Sequence, residues 1–433
     1  MVAELAGNPD EGMQKQAENV PKSKEAPKKA RVPVLDGIRG VLALAVLLTH
    51  VTYAGGVMDV GEHKGWPVFN WLSVGLTVSL SPFFLLSGLL LYRPFVRATF
   101  AGSQRPPLKP FFVRRLLRIL PGYWAVVAAS LLLINLPTID SLWDVLRPVL
   151  LLQWFVDTKN AMIPGMEITW SVDAELTFYL LLPLGAWLIN KYARRVSDPA
   201  QRLRRIIWPL SSIVLLGLAW EVYVHLPFMG AYPVQMFWPP GFLGLMAIGM
   251  MFAALSAYQE ATGREPAIYR LAAKSPLTWW AAAFGVYVLN CVKPFSAAGD
   301  GDYPPLSQAL MDQILFLLFA VLMTVPLFAP GARSRFMDAL LGNPVSRFLG
   351  RISYGIYLWH FPAMYFAFGM GNLFGTPPQP MFMVIGTIGF WQLIAEVLAI
   401  TIILSTLTYY LVERPAARLG SRFLRSGVPT ATS

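Results

Sequence analysis

Residues 34–53 read VLDGIRGVLALAVLLTHVTY. A mostly apolar run of about 20 residues is long enough to cross the hydrocarbon core of a bilayer as a helix. The run also contains Asp36, Arg39 and His50. Ionisable side chains inside a membrane helix generally face the interior of the bundle and mark a functional site. Residues 34–53 therefore predict a helical membrane protein, and they predict that a functional site includes the polar face of this helix.

Apolar runs of this kind recur along the whole chain of 433 residues, which is 55% hydrophobic and 14% charged. Soluble domains carry about 25% charged residues. The runs are too long and too evenly apolar for the strands of a membrane barrel. We expect an all-α polytopic membrane protein with about ten transmembrane helices, at residues 34–53, 72–92, 119–136, 170–190, 206–226, 238–257, 277–293, 312–330, 352–370 and 384–411. Residues 145–156 are apolar but too short to cross, and they predict a re-entrant or interfacial segment.

The loop charges indicate the orientation of these helices. With the N-terminus inside, 29 of the 35 Lys and Arg lie in segments that would be cytoplasmic. These segments are 19–33, 93–118, 191–205, 258–276, 331–351 and 412–433. The loops on the other side hold Lys64, Arg147 and Lys159 against eight acidic residues. This asymmetry predicts that both termini are cytoplasmic. It also explains the net charge of +11 without nucleic acid as a partner.

The composition divides the chain into three parts. Residues 1–33 are polar and of mixed charge, and they predict a disordered cytoplasmic tail. Residues 34–411 form the predicted transmembrane domain, and residues 412–433 form a basic cytoplasmic tail. Cys291 is the only cysteine, so neither an intramolecular disulfide nor a cysteine-based zinc site is expected. The four histidines are dispersed without ligand spacing, so no metal is expected.

Arg39 and His50 are eleven residues apart, which is about three helical turns, so their side chains share one face of the first helix. Glu175, near the outer end of the fourth predicted helix, lies at about the depth of His50. A carboxylate there can select the tautomer of the imidazole and raise its basicity. The structural alternative is an ion pair between Asp36 and Arg39 and a hydrogen-bonded histidine. For Asp173 we expect a position facing an outer, water-filled vestibule.

Two further groups of polar residues have structural explanations as well. Tyr354, Tyr357 and His360 are three residues apart and form a slanting polar stripe on the ninth predicted helix. Hydrogen bonds between helices account for such a stripe without any chemistry. Glu221 and His225 are spaced i, i+4 and are expected to pair with each other.

The end of the loop 93–118 carries a cluster of three arginines, Arg114, Arg115 and Arg118. The arginine side chain presents a planar fork that matches phosphate oxygens. Anionic lipid headgroups and topology explain some of these charges. Because the cluster is tight, we favour a ligand that carries phosphate.

Six sequence blocks together resemble the acyltransferase-3 family of bacterial membrane O-acyltransferases. The blocks are Leu35–Gly40 with His50 (an Arg-x10-His motif), Phe83–Gly88, Arg114–Pro121, Trp170–Tyr179, Tyr357–His360 and Glu413–Pro415. They occur in the family's order over residues 34–420. In one place the chain departs from the pattern, since the family's Glu-Glu pair is here Glu175-Leu176, which leaves Glu175 as the match.

The resemblance implies transfer of an acyl group, often acetyl, from cytoplasmic acyl-CoA to a hydroxyl group. The acceptors of such families are cell-envelope glycans, lipid-linked sugars, glycolipids or macrolide-type metabolites. The implied location is the bacterial plasma (inner) membrane. The chain stops about 20 residues after the last predicted helix, so we expect a membrane domain without a fused hydrolase-like domain.

With the resemblance, the residues acquire expected roles. The three arginines would bind the phosphates of acyl-CoA, and Arg39 would guide the donor or steady its thioester. His50 would act as a general base on the acceptor hydroxyl or carry the acyl group transiently. Glu175 would orient His50, while Tyr357 and His360 would donate hydrogen bonds to the developing oxyanion.

A proton-coupled secondary transporter is the alternative function. Buried Arg, His and Glu also suit a carrier. Against it, the sequence contains no matching pair of broken helices in two halves. A membrane scaffold or receptor is a third reading, but it does not need polar groups buried this deeply.

Overall fold

A computed structural model describes residues 33–59, 63–156, 162–296, 304–332 and 334–426. Apart from Pro33, the predicted N-terminal tail lies outside this range, as do the last seven residues of the predicted C-terminal tail. Within the described residues the secondary structure consists of helices and one isolated β-bridge between Gly371 and Thr376. The all-α fold class is therefore confirmed.

The long helices follow one another along the chain. They are α1 Pro33–Ala54, α2 Pro67–Gly75, α3 Ser81–Phe100, α4 Leu108–Ala129, α6 Trp170–Ala193, α7 Pro199–Val224, α8 Pro240–Thr262, α10 Pro276–Val292, α11 Leu306–Phe328, α13 Pro344–Ala367 and α14 Phe390–Thr408. A 3-10 turn, Leu76–Leu80, joins α2 and α3 into one apolar segment, Pro67–Phe100. Four shorter helices complete the chain, namely α5 Leu142–Val149, α9 Ala267–Lys274, α12 Arg335–Leu341 and α15 Arg414–Ser426.

Eight helical segments among the described residues are long and apolar enough to cross a membrane. The two remaining predicted spans, 277–293 and 352–370, are also helical. One of them, α10, is apolar but has only 17 residues. The other, α13, has 24 residues. It carries Arg347 and Arg351 in its first half, so it is less apolar than the other spans. The chain is a multi-pass helical membrane protein, as predicted.

The C-terminal ends of α3, α6 and α8 meet at one end of the bundle, where Arg194 donates to the carbonyl of Ala98. At this end Arg97 of α3 pairs with Glu260 of α8. We call this the basic end, because the loops after α3, α6 and α8 and the helix α15 lie there. At the opposite end the backbone N–H of Gly386 donates to the carbonyl of Ala54.

The predicted non-spanning segment 145–156 is a short helix followed by a 3-10 turn. It packs at the opposite end against α4. The hydroxyl of Tyr123 donates to the carbonyl of Pro148, and Trp124 Nε1 donates to the carbonyl of Val149. Trp154 is only 1% exposed. The segment therefore covers the interior of the bundle and does not cross it.

The helices α1 and α13 approach each other closely, with glycines at the contact. A Cβ atom on Gly350 would lie 1.8 Å from the carbonyl oxygen of Asp36, and one on Gly40 would lie 2.7 Å from the backbone nitrogen of Gly350. No side chain fits at either position. Small residues allow membrane helices to pack backbone to backbone in this way. The close approach brings the inner faces of α1 and α13 together.

Candidate functional site

Two histidines meet where α1 and α13 face each other. His50 Nδ1 lies 3.2 Å from His360 Nε2 and 2.9 Å from the carbonyl oxygen of Val46. His360 Nδ1 lies 2.6 Å from the carbonyl oxygen of Tyr357 and 3.2 Å from that of Ile356. The side chain of His360 is fully buried. The two imidazoles therefore form a hydrogen-bonded pair inside the bundle.

These hydrogen bonds determine where the protons lie on neutral rings. A carbonyl oxygen only accepts, so His360 Nδ1 carries hydrogen and His360 Nε2 carries a lone pair. That lone pair has to accept, so His50 Nδ1 donates to it. His50 Nε2 is left with an unprotonated lone pair. A proton or a carbon electrophile that reaches His50 would meet a basic nitrogen.

His50 lines an internal space of about 220 Å³, which we call the histidine cavity. Its walls are mainly aliphatic and aromatic, and they come from α1, the 3-10 turn after α2, α3, α6, α8, α11 and α13. The lining residues are Val46, Thr49, His50, Leu76, Thr77, Leu80, Ser81, Phe84, Ile168, Trp170, Phe242, Leu245, Phe316 and Tyr357.

A smaller space of about 60 Å³, the arginine cavity, adjoins the histidine cavity. Arg39 and Glu175 are its charged lining residues, and Ser87, Ser171 and Tyr354 contribute hydroxyl groups. The two cavities share three lining residues, Leu80, Phe84 and Tyr357. Arg39 and His50 thus line adjoining parts of one internal region.

Glu175 does not contact His50. Its Oε1 atom accepts a hydrogen bond of 2.8 Å from Ser87 Oγ and another from the hydroxyl of Tyr179. The expected contact between Glu175 and the imidazole is not formed, because the carboxylate is turned toward α3 and its own helix. His360 occupies the place expected for Glu175.

Arg39 makes no hydrogen bond or ion pair within the described part of the chain. The expected ion pair with Asp36 is therefore not formed. Arg39 does interact electrostatically with Asp36 at longer range, as well as with Arg118, Glu175 and Tyr179. Its guanidinium group lines the arginine cavity with its donors available.

The three arginines lie in the first half of α4, which begins at the basic end. Arg114 and Arg118 are exposed, whereas Arg115 is half-buried. Arg115 interacts electrostatically with Glu175 and with Tyr179. The cluster therefore extends from the surface of the basic end toward the arginine cavity.

The hydroxyl of Tyr357 is already engaged. It donates to the carbonyl of Ile168 at 2.9 Å and lies 2.6 Å from Ser171 Oγ. Both nitrogens of His360 are engaged as well. Neither of the two expected oxyanion donors, Tyr357 and His360, has a free hydrogen to donate in this arrangement. Their contacts position Ser171 and His50.

Two other expectations have clear outcomes. Asp173 is only 3% exposed, and neither of its carboxylate oxygens has a hydrogen-bond partner among the described residues. The expected water-filled vestibule is therefore wrong for Asp173, because the segment 142–155 covers this end of the bundle. Glu221 and His225 do pair, with Oε1 and Nδ1 3.5 Å apart. The expected pairing of Glu221 with His225 is confirmed.

Sequence reasoning missed the partners of Glu175. Ser87 and Tyr179 both lie inside the blocks Phe83–Gly88 and Trp170–Tyr179, so their positions carried a signal. The hydrogen bond from Ser87 to Glu175 joins residues that are 88 positions apart, so it depends on the fold and not on the local sequence. Among the described residues, no three His, Cys, Asp or Glu side chains are grouped to hold a metal ion.

Residues 32–410 match the family model of the acyltransferase domain, and the chain belongs to this family. The expected resemblance is thereby confirmed. No solved structure matches the chain.

The chain is similar to several curated relatives. It is 24% identical over 408 residues to the putative peptidoglycan O-acetyltransferase YrhL of Bacillus subtilis, a match that covers 90% of this chain and 56% of YrhL. It is 25% identical over 428 residues to the acyltransferase MdmB of Streptomyces mycarofaciens, covering 94% of this chain and 96% of MdmB. It is 23% identical over 408 residues to the peptidoglycan O-acetyltransferase OatA of Listeria monocytogenes, covering 90% of this chain and 56% of OatA.

Proposed function

We propose that the protein transfers an acyl group from cytoplasmic acyl-CoA to a hydroxyl group of a cell-envelope carbohydrate, a glycolipid or a secondary metabolite. The reaction takes place in the bacterial plasma membrane, with the basic end in the cytoplasm. The observation that carries the proposal is the contact between His50 and His360 beside the histidine cavity, from which we infer that Nε2 of His50 is unprotonated. The family and the names of the relatives support acyl transfer as the reaction class.

The donor enters from the basic end. Its phosphates bind to the three arginines, because guanidinium groups match phosphate oxygens in charge and geometry. The pantetheine arm passes into the arginine cavity, where Arg39 has donors free for the thioester or the amides of the arm. Since the two cavities adjoin, the thioester reaches His50 without crossing a further helix.

In one route His50 acts as a general base. Its Nε2 atom removes the proton of the acceptor hydroxyl while the oxygen attacks the thioester carbonyl. The new C–O bond forms, the C–S bond breaks, and the CoA thiolate takes the proton from His50. His360 stabilises the transient imidazolium, because its Nε2 atom accepts from His50 Nδ1 throughout.

In the other route His50 carries the acyl group. Its Nε2 atom attacks the thioester carbonyl, the C–S bond breaks and CoA leaves as the thiolate. The acceptor oxygen then attacks the acyl carbon, the C–N bond breaks, neutral His50 is restored, and the CoA thiolate takes the proton of the hydroxyl. Both routes need the same tautomer of His50. The names of YrhL and OatA favour a hydroxyl of an envelope glycan as acceptor and acetyl as one of the acyl groups transferred.

The proposal is tested with radiolabelled acetyl-CoA and membranes that contain the protein. The wild type releases CoA and transfers label to envelope material, whereas His50→Ala does neither. His225→Gln is the matched control, because His225 is a buried histidine that lines neither cavity. Normal transfer by a well-expressed His50→Ala protein overturns the proposal. Uptake of a solute into liposomes without any covalent product would favour the carrier instead.

A further inference from the structure

The histidine cavity is larger than an acetyl group needs. An apolar protein cavity of about 150 Å³ holds a benzene molecule, which has six carbons. The histidine cavity measures about 220 Å³. An acetyl group places one methyl carbon beyond the thioester carbonyl and would leave most of this space empty. Empty apolar space destabilises a protein because its lining atoms lack contacts.

The walls of the histidine cavity are suited to hydrocarbon. Phe242 stacks on Phe84 and on Trp170, with ring centroids 5.2 Å and 4.7 Å apart. Leu245 and Phe316 continue the apolar surface on α8 and α11. These five side chains offer methyl, methylene and aromatic contacts, which favour an acyl chain.

The hydroxyl groups in the same lining have no hydrogen left to donate to a sugar. Thr49 donates to the carbonyl of Ala45 at 3.0 Å, and Thr77 donates to that of Val74 at 3.0 Å. Ser81 donates to the carbonyl of Val78 at 2.8 Å. A carbohydrate placed here would lose its hydrogen bonds to water and gain few in return. The acceptor glycan therefore approaches from elsewhere.

From the volume, the lining and the position of His50, we infer that the histidine cavity is the binding site for the acyl chain of the donor. It accommodates chains longer than acetyl, up to about six carbons. This inference rests on the proposed function, since it assumes that the thioester carbonyl arrives at His50. Leu245 and Phe316, which line the α8 and α11 walls, determine the length of chain that fits.

The consequence is a dependence of donor affinity on chain length. Each methylene moved from water into an apolar site strengthens binding about fourfold. Butyryl-CoA should therefore bind about 15-fold more tightly than acetyl-CoA, and hexanoyl-CoA more tightly again. Decanoyl-CoA exceeds the cavity and should show no further gain.

The test measures equilibrium binding of CoA and of acetyl-, butyryl-, hexanoyl- and decanoyl-CoA to the full chain in nanodiscs, without acceptor. Empty nanodiscs are measured in parallel. Leu245→Phe shortens the cavity, so it should weaken hexanoyl-CoA at least tenfold more than it weakens acetyl-CoA. Phe316→Ala enlarges the cavity and should shift the preference to longer chains. Leu243→Phe is the matched control, because Leu243 lies on the same helix but lines a groove between α6, α7 and α8.

Each outcome supports or overturns the acyl-chain site. Equal affinities for acetyl-, butyryl- and hexanoyl-CoA overturn the acyl-chain site and leave the proposed function standing. A chain-length gain that is the same in the wild type, Leu245→Phe and Phe316→Ala also overturns it, since the gain then comes from the bilayer. Absence of binding by every acyl-CoA overturns the proposed function together with the inference. If one cavity variant fails to fold, the other still tests the site, because Leu245→Phe and Phe316→Ala are expected to shift the chain-length preference in opposite directions.

Discussion

His50 Nδ1 and His360 Nε2 are 3.2 Å apart, although the two residues are separated by 310 positions in the chain. The contact makes each imidazole dependent on the other. His360 is held by the carbonyls of Tyr357 and Ile356, so its Nε2 atom can only accept. The proton of His50 is therefore directed to Nδ1, and Nε2 is left free for chemistry.

Replacing His360 should impair His50 without preventing donor binding. His360→Leu leaves only the carbonyl oxygen of Val46 to accept from His50 Nδ1 and should lower kcat about 10²-fold, at the lower end of the effect of general bases. KM for acyl-CoA should change little. His360→Asn keeps a carbonyl oxygen that can accept from His50 and should recover part of kcat. Initial rates with labelled acetyl-CoA provide the measurement, and equal rates for the Leu and Asn variants would contradict the tautomer argument.

The backbone contact between α1 and α13 should be essential for the histidine pair. Gly350→Ala places a methyl group against the carbonyl of Asp36, so the two helices have to separate. Overpacking of this kind costs about 1–3 kcal/mol. We expect a lower Tm in detergent and loss of acyl transfer.

Gly185→Ala is the control for this helix contact. A Cβ atom on Gly185 has no neighbour within 4 Å, and alanine favours a helix over glycine by about 1 kcal/mol. Its Tm should equal or exceed that of the wild type. A Gly350→Ala protein with wild-type Tm and activity would show that the helices do not need this approach.

Arg39 should contribute to donor affinity. Arg39 lines the arginine cavity, and among the described residues its guanidinium makes no hydrogen bond or ion pair, so we expect it to contact the substrate. Hydrogen bonds from a charged group contribute about 1.5–3 kcal/mol, and Arg39→Ala should raise KM for acyl-CoA roughly 10- to 100-fold. Arg39→Lys keeps the charge and should recover part of the affinity. Arg97→Ala is the control, since Arg97 is 42% exposed and paired with Glu260. A KM that rises equally in both alanine variants would argue against a role for Arg39.

Glu175 should act through Arg39 and not through His50. Glu175→Gln removes the negative charge that interacts with Arg39 and should slow transfer about tenfold, which corresponds to about 1.4 kcal/mol. Ser87→Ala removes one donor and leaves the bond from Tyr179, so its effect should be smaller. The double variant Arg39→Ala, Glu175→Gln should be less impaired than the sum of the single effects. Additive effects would indicate that the two residues act independently.

The fold class followed from the sequence because membrane spans depend on the length and polarity of local runs. Eight spans satisfy that rule in the structure. The helix α13 is more polar, and its place in the bundle depends on packing against α1 through Gly40 and Gly350. Helix periodicity gives the face on which a residue lies, but it does not say which helix that face meets.

The site illustrates the same limit. Arg39 and His50 were assigned to one face, and the structure places them in adjoining cavities. Glu175 lies in the same region but turns to Ser87, which depth along a helix does not predict. Asp173 was expected to face water, but a segment of the chain that does not cross the membrane covers it. Contacts between distant segments decided each of these outcomes.

Glu167, in the segment before α6, should make stability depend on pH. Its Oε1 atom accepts a 2.7 Å hydrogen bond from the hydroxyl of Tyr365, and Oε2 is buried without a partner among the described residues. Burial raises the pKa of Glu167 to about 7, against about 4.3 in an unfolded chain. The folded state thus favours the protonated carboxyl. The stability that this provides is present below about pH 4.3 and is lost as the pH rises through about 7.

The measurement is Tm in detergent between about pH 5 and pH 8, a range that spans the raised pKa of Glu167. The wild type should lose thermal stability across this range, because Glu167 has to ionise where water cannot solvate it. Glu167→Gln mimics the protonated carboxyl, so its Tm should fall less and should exceed the wild-type value at the upper end of the range. Glu265→Gln, at an exposed position, should keep the wild-type dependence. If Glu167→Gln and the wild type lose stability in parallel, another group is responsible, and Glu167 is ionised in the folded protein throughout.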